Sequence, residues 1–222
     1  MCGRIVRSSP LDAIRAEFDA VSAAGLDARP RWNVCPGEDV LAVVGAGGDR
    51  RLRMLRWGLV PGFAVDPAKG PRPINVRAET VLERPAFREA LRRRRCLVVA
   101  DGFYEWRRDG ATKTPWFIRL RSGRPFGLAG LWEEWRGRTG AVLETCAILT
   151  CRPNPLVAAL HDRMPVVVPP AKYGPWLDAR LDDPRVLVPL LGPYPADAME
   201  AWPVSRLVNT PGNDSEACVA RT

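Results

Sequence analysis

The sequence predicts an α+β fold, a single antiparallel, barrel-like β-sheet with a few flanking helices. Three observations predict it. Eight short β-prone runs lie between residues 40 and 190, Gly and Pro break nearly every gap between them, and regular alternation of strands with helices is missing, which counts against a doubly wound parallel sheet. Proline supplies 22 of the 222 residues, about twice its usual ~5% share, as suits a chain dominated by fixed turns.

Taken in order, Ser9-Pro10 followed by Leu11, Ile14, Phe18 and Val21, closed by Gly25, reads as an amphipathic helix with an N-cap, a proline in its first turn and a glycine stop. The β-prone runs cover 40–44, 51–57, 96–100, 115–120, 126–132, 142–150, 165–168 and 186–190. Between them, 61–73 reads as a long surface loop and 85–94 as a helix that starts at Pro85 with Phe87 and Leu91 on one face. Shorter helices are expected near Pro155 and Pro170, and Arg92 to Arg95 as a solvated helix end. The whole of 1–222 is expected to form one domain.

Composition bounds the function. Hydrophobic residues make up 46% and charged residues 26%, ordinary globular values that exclude a disordered or fibrous chain. The longest apolar runs, Leu97 to Ala100 and Pro165 to Pro170, fall far short of the ~20 residues a bilayer span needs. Arg4 and Arg7 are followed by no apolar stretch of the kind a secretory signal carries, so a cytoplasmic protein is expected. The 33 Lys plus Arg exceed the 25 acids, for a net charge of +8, and only Lys69, Lys113 and Lys172 are lysines. Codon bias raises arginine in this way, and so does a surface whose guanidinium forks bind phosphate; composition does not separate the two.

Six cysteines, none in a CxxC pair, read as reduced thiols in a chain expected to stay in the cytoplasm. With one histidine in the chain, a four-ligand zinc site would need distant thiols, so no metal is expected. Cys2 stands apart. Cysteine is small, so trimming of the initiator methionine is expected, and it would leave an α-amine and a thiol on adjacent carbons. An α-amine has an ordinary pKa of ~7.7–8.0 and a thiol ~8.5, so both nucleophiles are accessible near neutrality. An aldehyde attacked by the amine gives an imine, and the thiolate can close on it to form a five-membered thiazolidine. The same pair suits an N-terminal-nucleophile hydrolase, and position alone also allows an incidental cysteine.

Seven blocks bear on that choice: MCGR at the start, RWNVCPGE at 31–38, WGLVPGF at 57–63, INVRAET at 74–80, DGFYEW at 101–106, HDRMPVVV at 161–168 and WPVSRLVN at 202–209. Together, and in this order, they resemble the SRAP (SOS response-associated peptidase) family, whose members bind abasic sites in single-stranded DNA and crosslink to them. The resemblance implies the SRAP fold, no cofactor, a monomer, association with the nucleoid when DNA is bound, and a thiazolidine on Cys2.

Carried over by motif, the resemblance gives Asn75 as the residue that positions the Cys2 amine, Glu105 as the acid-base group and His161 as the group acting on the sugar ring oxygen. A side-chain amide oxygen can direct an amine without adding charge. A desolvated glutamate titrates near neutrality, and the lone histidine does so natively. Asp162 either orients His161 or pairs with Arg163. For the DNA, the resemblance implies Gly3 as a close backbone approach, Arg4 and Arg77 as phosphate contacts with Arg163 as a further candidate, Thr150 as a pocket residue, and Asn33 and Pro36 at the pocket edge. Family members often carry tryptophans after the WGxxP block, where this chain has Phe63 followed by Ala64; Phe63 can still stack on a base. Peptidase activity is expected chiefly as trimming of the chain's own N-terminus. A Cys-type N-terminal amidohydrolase or protease using Cys2, Glu105 and His161 is the alternative enzyme, and a single-strand-binding module with an inert Cys2 the non-enzymatic one.

Overall fold

From the N-terminus, β1 (Ile5–Arg7) leads into α1 (Leu11–Phe18), whose Ile14 and Phe18 are buried. The Asp101 carboxylate receives the backbone N–H groups of Ser8 at 2.6 Å and Ser9 at 2.8 Å and fixes the turn into this helix. Asp19 adopts a left-handed conformation (φ 46°) and ends the helix well before Gly25. Val21, expected on the helix, instead lies in β2 (Val21–Ser22), 53% exposed and paired with β5 (Asp49–Trp57). Before it come β3 (Arg31–Val34) and β4 (Asp39–Ala46). β4 and β5 form a hairpin whose turn residues, Gly47 and Gly48, both have positive φ (63° and 104°), as the tightest hairpin turns demand. After the long loop, β6 (Asn75–Arg77), α2 (Pro85–Arg93), β7 (Arg95–Ala100), β8 (Gly102–Asp109), β9 (Thr112–Leu120), β10 (Phe126–Arg136) and β11 (Val142–Cys151) follow. The chain continues through α3 (Pro155–Ala158), β12 (Met164–Pro165), β13 (Val167–Val168), α4 (Tyr173–Leu177), α5 (Pro184–Leu187) and β14 (Met199–Pro203). This computed structural model describes residues 2–110 and 112–222.

The fold is α+β, with a closed barrel at its centre. Neighbours pair in the order β11-β10-β7-β4-β5, and β5 returns to β11 through Thr145↔Arg56 and Cys146↔Trp57. The expected antiparallel, barrel-like sheet is present in the other four pairings of the barrel, and the closing contact is parallel, which makes the barrel mixed. β6 also joins β11 in parallel. Both parallel contacts tie residues on the two sides of the long loop to a strand much later in the chain, a connection only a crossover can make. Every residue of β7 is buried.

A second sheet, ordered β14-β9-β8-β1-β3, carries its own smaller core of Val6, Tyr104, Phe117, Trp202, Val204 and Val208. Gly102 allows β8 to pack there, since a Cβ would meet the Phe117 ring at 2.3 Å.

Two other expectations fail for physical reasons. The run 186–190 is helical: Asp183 accepts from the Arg185 N–H at 2.9 Å and Pro184 takes the first helical position, a start signal stronger than the apolar run that follows. Arg95 is not at a solvated helix end but buried at the start of β7. Its guanidinium donates to the carbonyls of Leu91, Arg92, Trp176, Asp178 and Leu181, and burial pushes its pKa down to about 10. All six cysteines are buried and unbridged. Among the described residues no helix is long and apolar enough to cross a membrane.

Candidate active site

The site forms where the two sheets meet. β1 pairs with β8 through Ile5↔Phe103 and Val6↔Gly102, and the ladder runs on as the Tyr104 N–H donates to the Arg4 carbonyl at 3.0 Å. The segment Cys2-Gly3-Arg4 is thereby laid along Tyr104-Glu105-Trp106. From the barrel side, β6 reaches the same place: the Asn75 side-chain amide donates to the Cys2 carbonyl at 2.7 Å. Asn75 Oδ1 is buried and, among the described residues, accepts no hydrogen bond.

Cys2 is fully buried, and its thiol is held well above its ordinary pKa, first by burial and then by the nearby charge of Glu105. Glu105 is buried too, and desolvation pushes its carboxyl up to about 7. His161 follows α3, its N–H bonded to the Val157 carbonyl at 2.8 Å. The ring is half-buried, and burial lowers its pKa. Its Nδ1 accepts from the Arg163 N–H at 3.0 Å, which leaves the ring proton of the neutral form on Nε2. Asp162 stands 2.9 Å from the same Nδ1, placed to receive a proton there once the ring is charged.

Glu105 and His161 line a cleft of about 440 Å³ together with Arg4, Trp106, Arg108, Lys113 and Asn209. Arg4 is held by two bonds of 2.7 Å from Nη1, to Asn33 Oδ1 and to the Val208 carbonyl, with its guanidinium 5.8 Å over the Trp106 ring. Trp106 Nε1 in turn donates to Asn209 Oδ1 at 2.8 Å.

The remaining residues fall into two groups. Gly3 is half-buried beside Cys2, while Arg77, Pro36 and Phe63 face solvent; Phe63 is 78% exposed, and Arg77 has no ion pair or hydrogen bond among the described residues. Asn33 is not at a pocket edge. It is buried, and its amide nitrogen donates to the carbonyls of Val208, Thr210 and Asn213, so that it anchors the C-terminal segment while its oxygen holds Arg4. Thr150 is buried likewise, its hydroxyl facing the Val76 carbonyl at 3.4 Å. Arg163 pairs not with Asp162 but with Glu79, through two contacts of 2.8 Å, and also donates to the Thr150 carbonyl, so its fork is already occupied. Trp106, Arg108, Lys113 and Asn209 line the cleft, and Glu79 holds Arg163, although none of the five is among the residues the motifs single out. All but Arg108 and Lys113 lie inside the seven motif blocks, and the signal for those two was the pair of cations on either side of an Asp-Gly turn. Among the described residues no group of three His, Cys, Asp or Glu side chains is placed to hold a metal.

The sequence matches the SOS response associated peptidase (SRAP) family over residues 1–211. The chain belongs to the SRAP family. Among curated SRAP relatives, it is 44% identical over 218 residues to the abasic site processing protein YoqW of Bacillus subtilis (strain 168), covering 97% of both chains. It is 30% identical over 219 residues to the abasic site processing protein YedK of Escherichia coli (strain K12), covering 96% of each. It is also 31% identical over 195 residues to the abasic site processing protein HMCES of Gallus gallus, covering 77% of this chain and 57% of that longer one. In fold it superposes on a crystal structure from Bacteroides thetaiotaomicron with a TM-score of 0.91 over the full length of both chains, at 24% identity.

Proposed function

We propose that this SRAP protein recognises abasic sites in single-stranded DNA and, once Met1 is removed, captures the lesion covalently on Cys2. The observation that carries the reading is the convergence on Cys2: Asn75 grips its carbonyl from the barrel while Glu105, buried and with a pKa of about 7, lies alongside on β8. The names of the relatives, which act on abasic sites, point to the substrate.

An abasic deoxyribose is mostly a closed hemiacetal. His161 gives a proton to the ring oxygen as the C1′ hydroxyl loses one, opening the sugar to its aldehyde. The Cys2 amine, directed by the acceptor Asn75 Oδ1, attacks C1′ and forms a carbinolamine. Glu105 takes the excess proton from nitrogen and returns it to the hydroxyl, which leaves as water, and an imine remains. Because burial holds the thiol protonated at neutral pH, the order is imine first. Sulfur then bonds to C1′, and its proton passes to nitrogen, closing the thiazolidine. Arg77 and Arg4 bind flanking phosphates, and Phe63 offers a face to an adjacent base. The protein acts as a monomer in the cytoplasm, on nucleoid DNA.

The test is to mix the protein lacking Met1 with an oligonucleotide bearing one abasic site. A shifted band stable to heat and SDS is expected. Its absence, with intact noncovalent binding, would reject the covalent reading and leave the amidohydrolase and the single-strand-binding module.

A further inference from the structure

We infer that the tip of the β8–β9 hairpin is a second phosphate-binding site, in which Arg108 and Lys113 hold the DNA strand on the side of the lesion opposite to Arg77. The inference deepens the reading above and rests on it.

The register places Arg108 directly across from Lys113. Like charges in that position repel and weaken a hairpin unless something neutralises them. Nothing among the described residues does, for neither side chain has an ion pair or hydrogen bond there. The acid next to Arg108 at the hairpin tip, Asp109, is taken by Arg107 at 2.9 Å, and Arg107 also lies 5.0 Å over the Trp116 ring. Two exposed cations are thus left facing each other on the wall of the cleft that contains Glu105 and His161. Arg108 is close enough for its charge to act on His161, adding to the larger effect of burial in lowering that pKa. An anion bridging the two cations would remove the repulsion, and a nucleic-acid backbone supplies one at each nucleotide.

Geometry gives the direction of the strand. Arg77 ends β6, two residues after the Asn75 that grips Cys2 from the barrel. Arg108 and Lys113 belong to the other sheet, whose strand β8 carries Glu105 along the opposite side of Cys2. A strand with its lesion at Cys2 therefore runs across the seam, from the barrel's cation to the hairpin's pair.

The experiment measures noncovalent affinity against salt for Arg108→Ala/Lys113→Ala and for Arg77→Ala, using three oligonucleotides: a central lesion with both arms, and the same with either the 5′ or the 3′ arm cut to one nucleotide. On the two-armed DNA the double variant should lower the salt slope by about 1.4, roughly 0.7 per single-strand phosphate contact, and weaken binding about 25-fold at 0.1 M salt. The charge-preserving Arg108→Lys/Lys113→Arg should bind as wild type. Removing one arm should abolish the effect of the double variant, and removing the other should abolish that of Arg77→Ala. An unchanged slope, or loss of both effects with the same arm, would overturn the inference. The two-armed wild-type crosslink reports separately on the underlying reading: adduct formation with an unchanged hairpin slope rejects the hairpin alone, and absence of adduct rejects the covalent reading.

Discussion

Asn75 donates from its side-chain nitrogen to the main-chain carbonyl of Cys2 at 2.7 Å, across 73 residues of sequence. The bond joins the barrel to the second sheet and, in the reading proposed above, would fix the direction of the Cys2 amine once Met1 is trimmed. Asn75 Oδ1, buried beside it without a hydrogen bond among the described residues, is the acceptor such an amine needs. Asn75→Ala should therefore slow crosslinking at saturating DNA by about 10²-fold, the scale of a 1 Å misplacement, while leaving noncovalent affinity unchanged. The lost hydrogen bond should also lower stability by about 1 kcal/mol, measurable by urea unfolding.

Replacing Cys2, the proposed nucleophile, separates chemistry from binding. Cys2→Ala, with Met1 trimmed, should form no heat-stable adduct and keep salt-sensitive binding, since one neutral thiol contributes nothing to the basic field. Cys2→Ser keeps the amine and should give only an imine, trapped by borohydride. A wild-type level of stable adduct in Cys2→Ala would remove Cys2 from the mechanism.

Glu105 makes stability fall with rising pH over a defined window. Its folded pKa of about 7 lies above the ordinary value of 4.5, so between these values the folded chain holds a proton that the unfolded chain has lost. Stability is greatest below the window and declines as pH rises through it, by up to about 3 kcal/mol. Glu105→Gln should flatten this segment of the unfolding profile from pH 4 to 8. In the same variant crosslinking should slow, and the inflection near pH 7 should disappear from its rate profile.

His161 is assigned to sugar opening alone. His161→Ala should slow the reaction with the closed sugar far more than with a simple aldehyde, whereas Glu105→Ala should slow both. Adduct formation on the two substrates from pH 5 to 9 checks this, and equal losses for both variants on both substrates would refute the division of roles.

Arg95 gives a test outside the site. Five carbonyls converge on its buried guanidinium, so Arg95→Leu leaves them without a donor and should destabilise the fold by about 3 kcal/mol or more. Crosslinking per folded molecule should be unchanged, as urea unfolding followed by adduct titration would show.

Legible along the chain were the β-rich class, the helix at Pro85, the approximate course of β4, β5, β7, β9 and β11 and, through seven ordered motifs, the family and the candidate residues; β8 (Gly102–Asp109) was not among the expected runs, and β10 runs four residues further than expected. The legible features are local. Apolar spacing, Gly and Pro breaks and short motifs are properties of neighbouring residues, and a long strand such as β11 carries enough of them to be read. Long-range contacts set the parallel closure of β5 on β11, the three-residue strands β1 and β6, the burial of Arg95 and Asn33, and the pairing of Arg163 with Glu79 in place of Asp162. A three-residue strand has no stability of its own and exists only through the hydrogen bonds a distant partner supplies. Likewise Arg95 and Arg92 look alike in sequence, and only the carbonyls that end α2 and α4 make burial of one of them tolerable. The residues around Cys2 meet because two sheets share a seam there, a relationship that no local pattern along the chain encodes.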